Sequence, residues 1–132
     1  MMPVENDQLN GLLEFQHQII EQLKLQRFHT VQEKQTQSEV ELYLTSAGYS
    51  FEREKRLSER DIPDFFLTSQ YGSLVLEVKI RCPKRQIFRQ LERYASHESV
   101  YGLILLSGTS MGLPIEINKK PSRFVSLGEG WL

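Results

Sequence analysis

Two apolar segments joined by a short polar turn restrict the fold of this chain more than any other feature. Residues 62–67 (IPDFFL) and 73–80 (SLVLEVKI) flank the turn TSQYG, and this pattern predicts a β-hairpin. Because strand side chains alternate between two faces, Glu77 and Lys79 share one face. The opposite face is entirely apolar, with Leu74, Leu76, Val78 and Ile80. The hairpin therefore carries charges where a buried strand would favour apolar residues.

A further carboxylate lies at the start of the first strand. Asp64 follows Pro63, and proline disfavours a regular central ladder, so we expect a strand end or an irregularity there. Asp64 can then lie beside Glu77 across the hairpin. Two carboxylates and an ammonium group on one buried patch cost free energy unless they pair or hold a cation. The ordinary alternative is a surface ion pair of Lys79 with Glu77 or Asp64 on a solvated sheet face.

Helices and further strands surround the hairpin. Residues 7–25 have the spacing of an amphipathic helix, residues 26–37 form a polar, Gln-rich connection, and Ser38 suits an N-cap. That cap predicts a helix from Glu39 to Ala47, which Gly48 ends. The other predicted elements are strands at 49–57, 100–107, 114–118 and 123–127 and a helix at 84–96. This order predicts a mixed sheet with helices on its faces.

Composition and charge exclude several classes of protein. The 132 residues are 39% apolar and 25% charged, which fits one soluble globular protein without a membrane span. The start of the sequence lacks the character of a secretory signal, so we expect a cytoplasmic location. A net charge of −1 argues against binding nucleic acid by overall charge alone. Residues 53–93 nevertheless hold ten of the sixteen Lys and Arg residues and six of the seventeen acids, which is compatible with a phosphate-binding face or a solvated surface.

The predicted helix at 84–96 carries side chains suited to nucleic acid. Gln90 and Tyr94 are four residues apart and therefore share a face. Arg85, Arg89 and Arg93 form a row with the same spacing, which could follow a phosphate backbone. The alternatives are that Tyr94 belongs to the apolar core and that the arginines form a solvated face.

These residues and their order resemble the PD-(D/E)XK nuclease superfamily. Ile62-Pro63-Asp64 is followed after twelve residues by Glu77-Val78-Lys79, with an acidic helix before them, and the resemblance covers residues 38 to about 107. Gln90 and Tyr94 resemble the QxxxY motif of RecB-like members. The resemblance implies an α/β (α+β), restriction-endonuclease-like fold, a mixed central sheet flanked by helices. Residues 38–132 would form that domain, and residues 1–37 would add an N-terminal helix and connection.

The resemblance also implies a metal-dependent reaction. Asp64, Glu77 and the main-chain carbonyl of Val78 would bind Mg²⁺, for which Mn²⁺ would substitute. Glu39 would complete the site as a metal ligand, with Glu41 as the alternative. The metal would lower the pKa of a bound water, and Lys79 would orient that water or remove its proton. The expected activity is Mg²⁺-dependent hydrolysis of DNA, with DNA contacts from Gln90, Tyr94, Arg85, Arg89 and Arg93.

Other functions remain open from the sequence. A catalytically silent nucleic-acid-binding or assembly module would keep the same fold, and an unrelated interaction protein would use the hairpin charges as ion pairs. DNA is the expected partner, and no association with a membrane is expected. A second copy paired through the N-terminal helix and a larger recombination, repair or defence assembly are further candidates. Endonuclease and exonuclease activities are not distinguished, because one core serves many substrates.

Overall fold

The computed structural model describes residues 4–127, which contain three helices and six strands. The helices are α1 (Val4–Lys24), α2 (Glu33–Ser46) and α3 (Lys84–Ala95). The strands are β1 (Phe51–Arg53), β2 (Phe65–Ser69), β3 (Gly72–Lys79), β4 (Gly102–Ser107), β5 (Glu116–Ile117) and β6 (Lys120–Ser126). The predicted order of elements is confirmed.

The six strands form one mixed sheet in the order β1-β2-β3-β4-β6-β5. The first three strands are antiparallel neighbours, β3, β4 and β6 run parallel, and β5 pairs antiparallel with β6. The helix α3 connects β3 to the parallel β4, as a parallel pair requires a crossover. The predicted mixed α/β architecture is therefore found.

Both faces of the sheet are covered by helices. One apolar cluster joins α1 and α2 to Leu74, Leu76 and Val78 of β3. A second cluster joins α3 to Val75 of the same strand and to Leu103 of β4. The alternation expected for β3 is therefore observed, although both of its faces are buried rather than one being solvated.

The apolar stripe of α1 packs into the core of its own chain. Its buried members are Leu12, Gln16, Ile19, Ile20 and Leu23. The side-chain amide of Gln16 donates to the main-chain carbonyls of Leu103 and Pro121, which fixes the helix against the sheet. Leu9 and Leu13 remain exposed at one side of the stripe. Most of the stripe is thus already covered within the chain.

The start of α2 was predicted wrongly. The helix begins at Glu33 and not at Glu39, and Ser38 lies inside it, where its hydroxyl donates to the carbonyl of Lys34 (3.0 Å). Thr36, Val40 and Leu44 form its buried row at four-residue spacing. A serine inside a helix can bond to the preceding turn in this way, so it need not mark a helix start. The predicted domain boundary at residues 37/38 falls within α2.

The predicted strand at 49–57 is much shorter than expected. β1 ends at Arg53, and Glu54 adopts a positive φ of 51°, where the chain turns away from the sheet. A loop of residues 54–64 then leads to β2. None of the helices in the described part of the chain is long and apolar enough to cross a membrane.

Candidate active site

The candidate site lies where the β2–β3 ladder ends. Phe65, the first residue of β2, pairs with Leu76, so the last residues of β3 have no partner on that side. Carboxylates take the place of the missing strand. The Val78 N–H donates to Asp64 Oδ2 (2.7 Å), and the Ile80 N–H donates to Glu33 Oε1 (3.2 Å). Pro63 and Asp64 thus interrupt the pairing of β2 with β3. We call this place, with the side chains of Asp64, Glu77, Lys79 and Glu33 around it, the ladder gap.

The three predicted central residues meet at the ladder gap. The main-chain N–H of Asp64 donates to Glu77 Oε1 (3.1 Å), and Lys79 Nζ lies 3.2 Å from Glu77 Oε2. The Glu77 side chain is only 2% exposed and that of Lys79 only 17% exposed. This is not the solvated surface ion pair of the ordinary alternative, because its members are largely removed from water.

The two carboxylates carry more negative charge than Lys79 neutralises. Burial raises the pKa of Glu77 to about 8, with repulsion from Asp64 adding to the shift against the attraction of Lys79. Burial likewise raises the pKa of Asp64 to about 6, although the Val78 N–H and Lys79 favour its ionised form. For Lys79, burial alone would lower the pKa, but Glu77, Asp64 and Glu33 outweigh it and raise the pKa. The lysine is thus held protonated by its carboxylate neighbours.

The main-chain carbonyl of Val78 is expected to face the same gap. In an extended strand, the N–H and C=O groups of one residue point toward the same neighbouring strand. The Val78 N–H points to Asp64, whereas the Lys79 carbonyl accepts from Gly108 N on the β4 side (2.9 Å). The Val78 carbonyl is therefore on the side of the ladder gap, close to Asp64.

One face of α2 supplies a polar row of which the sequence indicated only Glu41, as the alternative to Glu39. Glu33 caps Ile80 N, the Gln37 amide donates to Asp64 Oδ1 (3.2 Å), and Glu41 binds Arg53 Nη1 (2.7 Å). Arg53 in turn donates from Nε to the Asp64 carbonyl (3.1 Å). Glu33, Gln37 and Glu41 are spaced by four residues, so this row could have been found had the helix been started at Glu33.

Glu39 does not lie at the ladder gap. Its Oε1 accepts from the main-chain N–H of His29 (2.6 Å), and its Oε2 accepts from Gln35 (3.2 Å). It faces a surface formed with Phe28 and Tyr43 instead. Glu39 was expected to complete the site because α2 was thought to begin there. The α2 carboxylate that is brought to the gap is Glu33, and Glu41 reaches it only through Arg53.

Gln90 and Tyr94 lie in different environments, because Tyr94 belongs to the core and Gln90 is only half-buried. Tyr94 is fully buried, and its hydroxyl donates to Glu77 Oε2 and to the Ile62 carbonyl (both 3.4 Å). Burial raises the pKa of this hydroxyl, with repulsion from Glu77 adding to it, so the group remains a donor. Gln90 is half-buried. In this arrangement Tyr94 supports Glu77 and is not exposed to DNA.

The predicted arginine row is not uniform. Arg85 and Arg89 are exposed, but Arg93 is half-buried and its Nε binds Asp61 Oδ1 (2.9 Å). The second oxygen of Asp61 binds His97 Nε2 (2.8 Å). Burial would raise the pKa of Asp61, but these bonds and the charges of its partners outweigh it and lower the pKa. We call Asp61, Arg93 and His97 the acid clamp; it ties the 54–64 loop to α3.

The donors at the ladder gap suit a hard cation. Mg²⁺ is commonly bound through one or two carboxylates together with water and substrate phosphate. Asp64, Glu77 and the Val78 carbonyl provide oxygen donors of that kind, and the excess negative charge favours a cation. Across the described residues 4–127, no three His, Cys, Asp or Glu residues form a metal-binding group. The two carboxylates therefore fit a cation that is completed by other oxygen donors rather than an all-protein cage.

Neither a protein-family model nor a curated protein sequence matches this chain. Membership of the PD-(D/E)XK superfamily is therefore not shown.

Proposed function

We propose that this chain is a metal-dependent DNA phosphodiesterase whose active site is the ladder gap. The observation that carries this proposal is the convergence of Asp64, Glu77 and Lys79 at a strand end, where two carboxylates share one ammonium group. Perturbed ionisable groups of this kind are typical of functional sites, although structural ion pairs also produce them. The resemblance to restriction-endonuclease-like enzymes gives this arrangement a specific chemistry.

Asp64, Glu77 and the Val78 carbonyl would hold a Mg²⁺ or Mn²⁺ ion. When bound, such an ion activates water for attack and offsets charge on the scissile phosphate. The protein's own groups prepare this site before any substrate arrives. Val78 N–H and Gln37 orient Asp64, while Asp64 N–H and Tyr94 orient Glu77.

Lys79 would act on the reacting groups directly. Its ammonium group is 3.2 Å from Glu77 Oε2 and is kept charged by the surrounding carboxylates. A fixed positive charge at a site that excludes water stabilises negative charge that develops on a phosphate in the transition state. The same ammonium group would also orient the attacking water by donating a hydrogen bond to it.

A catalytically silent nucleic-acid-binding module is the second candidate. The observation that favours it is structural: Asp64 and Glu33 each satisfy a β3 amide that would otherwise have no partner. Carboxylates can be kept for that reason alone, because an unpaired buried N–H group is costly. In that case the ladder gap would neither bind a cation nor cut DNA.

Cleavage assays with charge-neutral variants test the proposal. Supercoiled, linear, single-stranded and branched DNA would be incubated with Mg²⁺ or Mn²⁺ and with wild type, Glu77→Gln or Lys79→Met. Matched controls are Glu14→Gln on the exposed side of α1 and Lys24→Met at its end. We expect cleavage by wild type and both controls, and loss of cleavage in the two site variants. Equal behaviour of all five proteins would overturn the nuclease proposal, and binding without cleavage by wild type would favour the silent module.

A further inference from the structure

We propose that a groove between the 54–64 loop and α3 binds a backbone phosphate of the nucleic acid. The groove is an open depression of about 460 Å³ lined by Arg60, Arg89, Glu92, Arg93 and Ser96. We call it the arginine groove. Three guanidinium groups and one carboxylate give it a positive charge, in contrast to the ladder gap beside it.

Arg93 is held ready by the acid clamp. Asp61, only 7% exposed, binds Arg93 through Nε (2.9 Å). A guanidinium group has five N–H donors, so a single bond at Nε leaves the terminal nitrogens able to donate to a second anion. His97 on the other oxygen of Asp61 keeps the carboxylate itself in place. The carboxylate thus positions the arginine without covering its terminal nitrogens.

Arg60 and Arg89 carry positive charge that is not neutralised by a neighbour. Both side chains are exposed, and within residues 4–127 no carboxylate lies within ion-pair distance of either. They come from the loop and from α3 respectively, on the same groove as Arg93. Guanidinium groups present planar donors that match the oxygens of phosphate as well as those of carboxylate. The sequence row Arg85-Arg89-Arg93 is thereby revised: Arg60 takes the place of Arg85.

Residues of the arginine groove are close in sequence to residues of the ladder gap. Arg93 is followed directly by Tyr94, which donates to Glu77, and Arg60 precedes Asp64 by four residues. A polynucleotide whose phosphate lay at the gap would therefore bring a neighbouring phosphate toward the groove. This placement of the strand rests on the proposed function. Binding of a nucleic-acid phosphate at the groove does not require cleavage.

Binding measured without metal tests the groove separately from catalysis. The affinity of labelled single-stranded and duplex DNA would be followed by fluorescence anisotropy in EDTA over a range of salt concentrations. The test protein is Arg60→Gln/Arg89→Gln, and the control Lys24→Gln/Arg123→Gln removes the same charge elsewhere. We expect the groove variant to lose about tenfold or more in affinity and its salt slope to fall by about one, with a much smaller change in the control.

Equal losses in both double variants, or no DNA binding by folded wild type, would overturn the groove assignment. Arg60 and Arg89 are exposed, so the groove variant should fold, and circular dichroism would verify the fold of both double variants. The two proposals fail differently. Groove-dependent binding by a wild type that never cuts DNA contradicts the nuclease proposal alone, whereas cleavage and binding unaffected by the groove variant contradict the groove alone.

Discussion

Asp61 and Glu77 are both buried carboxylates within reach of α3, and they differ in how their charge is balanced. Asp61 is bound by a guanidinium and an imidazole, and its pKa is lowered. Glu77 shares one ammonium group with Asp64, and its pKa is raised. Burial is similar, since 7% of Asp61 and 2% of Glu77 is exposed. At Asp61 the bonds and charges of Arg93 and His97 outweigh the effect of burial on the pKa, whereas at Glu77 burial and repulsion from Asp64 outweigh the attraction of Lys79.

The largest difference should appear in catalysis. Glu77→Gln keeps the shape of the side chain but removes a cation ligand, so we expect cleavage to fall by about a hundredfold or more. Asp61→Asn leaves Asp64, Glu77 and Lys79 in place and should retain much more activity. Single-turnover rates on one DNA substrate at saturating Mg²⁺ would compare the two. A greater loss in Asp61→Asn than in Glu77→Gln would contradict the assignment.

The pH dependence of stability should also differ at the two carboxylates. With the pKa of Glu77 raised from 4.5 to about 8, the folded chain holds a proton that the unfolded chain has released. The contribution of Glu77 to the free energy of unfolding therefore falls as pH rises through this range, by an amount on the order of a few kcal/mol. Asp61 has the opposite sign, because its lowered pKa makes its contribution fall only when the pH drops below its usual value.

Denaturant unfolding in EDTA at several pH values would check this dependence. Wild type should lose stability between about pH 5 and pH 8, and Glu77→Gln should lose less, since it cannot ionise there. Glu14→Gln should follow wild type. If the wild-type stability instead rose over this range and Glu77→Gln had no effect, the pKa of Glu77 would not be raised, and the prediction would be wrong.

Removal of the acid-clamp charge should destabilise the fold. Asp61→Asn leaves Arg93 and His97 without their carboxylate, and we expect the free energy of unfolding to fall by about 2 kcal/mol. Glu77→Gln in metal-free buffer near neutral pH should change the free energy of unfolding much less, because the raised pKa already keeps Glu77 largely protonated there. Denaturation midpoints of the two variants would measure this contrast. Stabilisation by Asp61→Asn would contradict a stabilising role of the Asp61 carboxylate between Arg93 and His97.

A smaller effect should distinguish Glu33 from Glu39, two of the three carboxylates of α2. Glu33→Gln weakens the cap on Ile80 N and alters charge near Asp64, so we expect about a tenfold loss of cleavage. Glu39→Gln affects a bond to His29 on another side of the helix and should lower cleavage less. Cleavage rates of the two variants on the same substrate would rank them. The reverse order would restore Glu39 as the residue that completes the site.

The parts of the site that the sequence predicted are those set by local periodicity. Strand alternation places Glu77 and Lys79 together, and Pro63 marks where Asp64 leaves the ladder. The polar row of α2 was missed because Ser38 has the character of a cap, although here it bonds to Lys34 within the helix. Because the helix was predicted to begin after Ser38, Glu39 and Glu41 were the candidates and Glu33 was left in the predicted connection.

The acid clamp could not be predicted from spacing. Asp61 is 32 residues from Arg93 and 36 from His97, and only the packing of the 54–64 loop on α3 brings them together. The same packing creates the arginine groove. By contrast, the burial of Tyr94 was one of the alternatives left open by its place on the apolar side of the helix.

The melting temperature with and without divalent cation tests most directly whether Asp64 and Glu77 form a cation site. At about pH 8, Mg²⁺ or Mn²⁺ at ten times its dissociation constant should stabilise wild type by about 1.4 kcal/mol, a rise of a few degrees. Asp61→Asn and Glu14→Gln should show the same rise, and Asp64→Asn and Glu77→Gln should show none. An equal rise in all five proteins, or no rise in wild type, would contradict a cation site at the ladder gap.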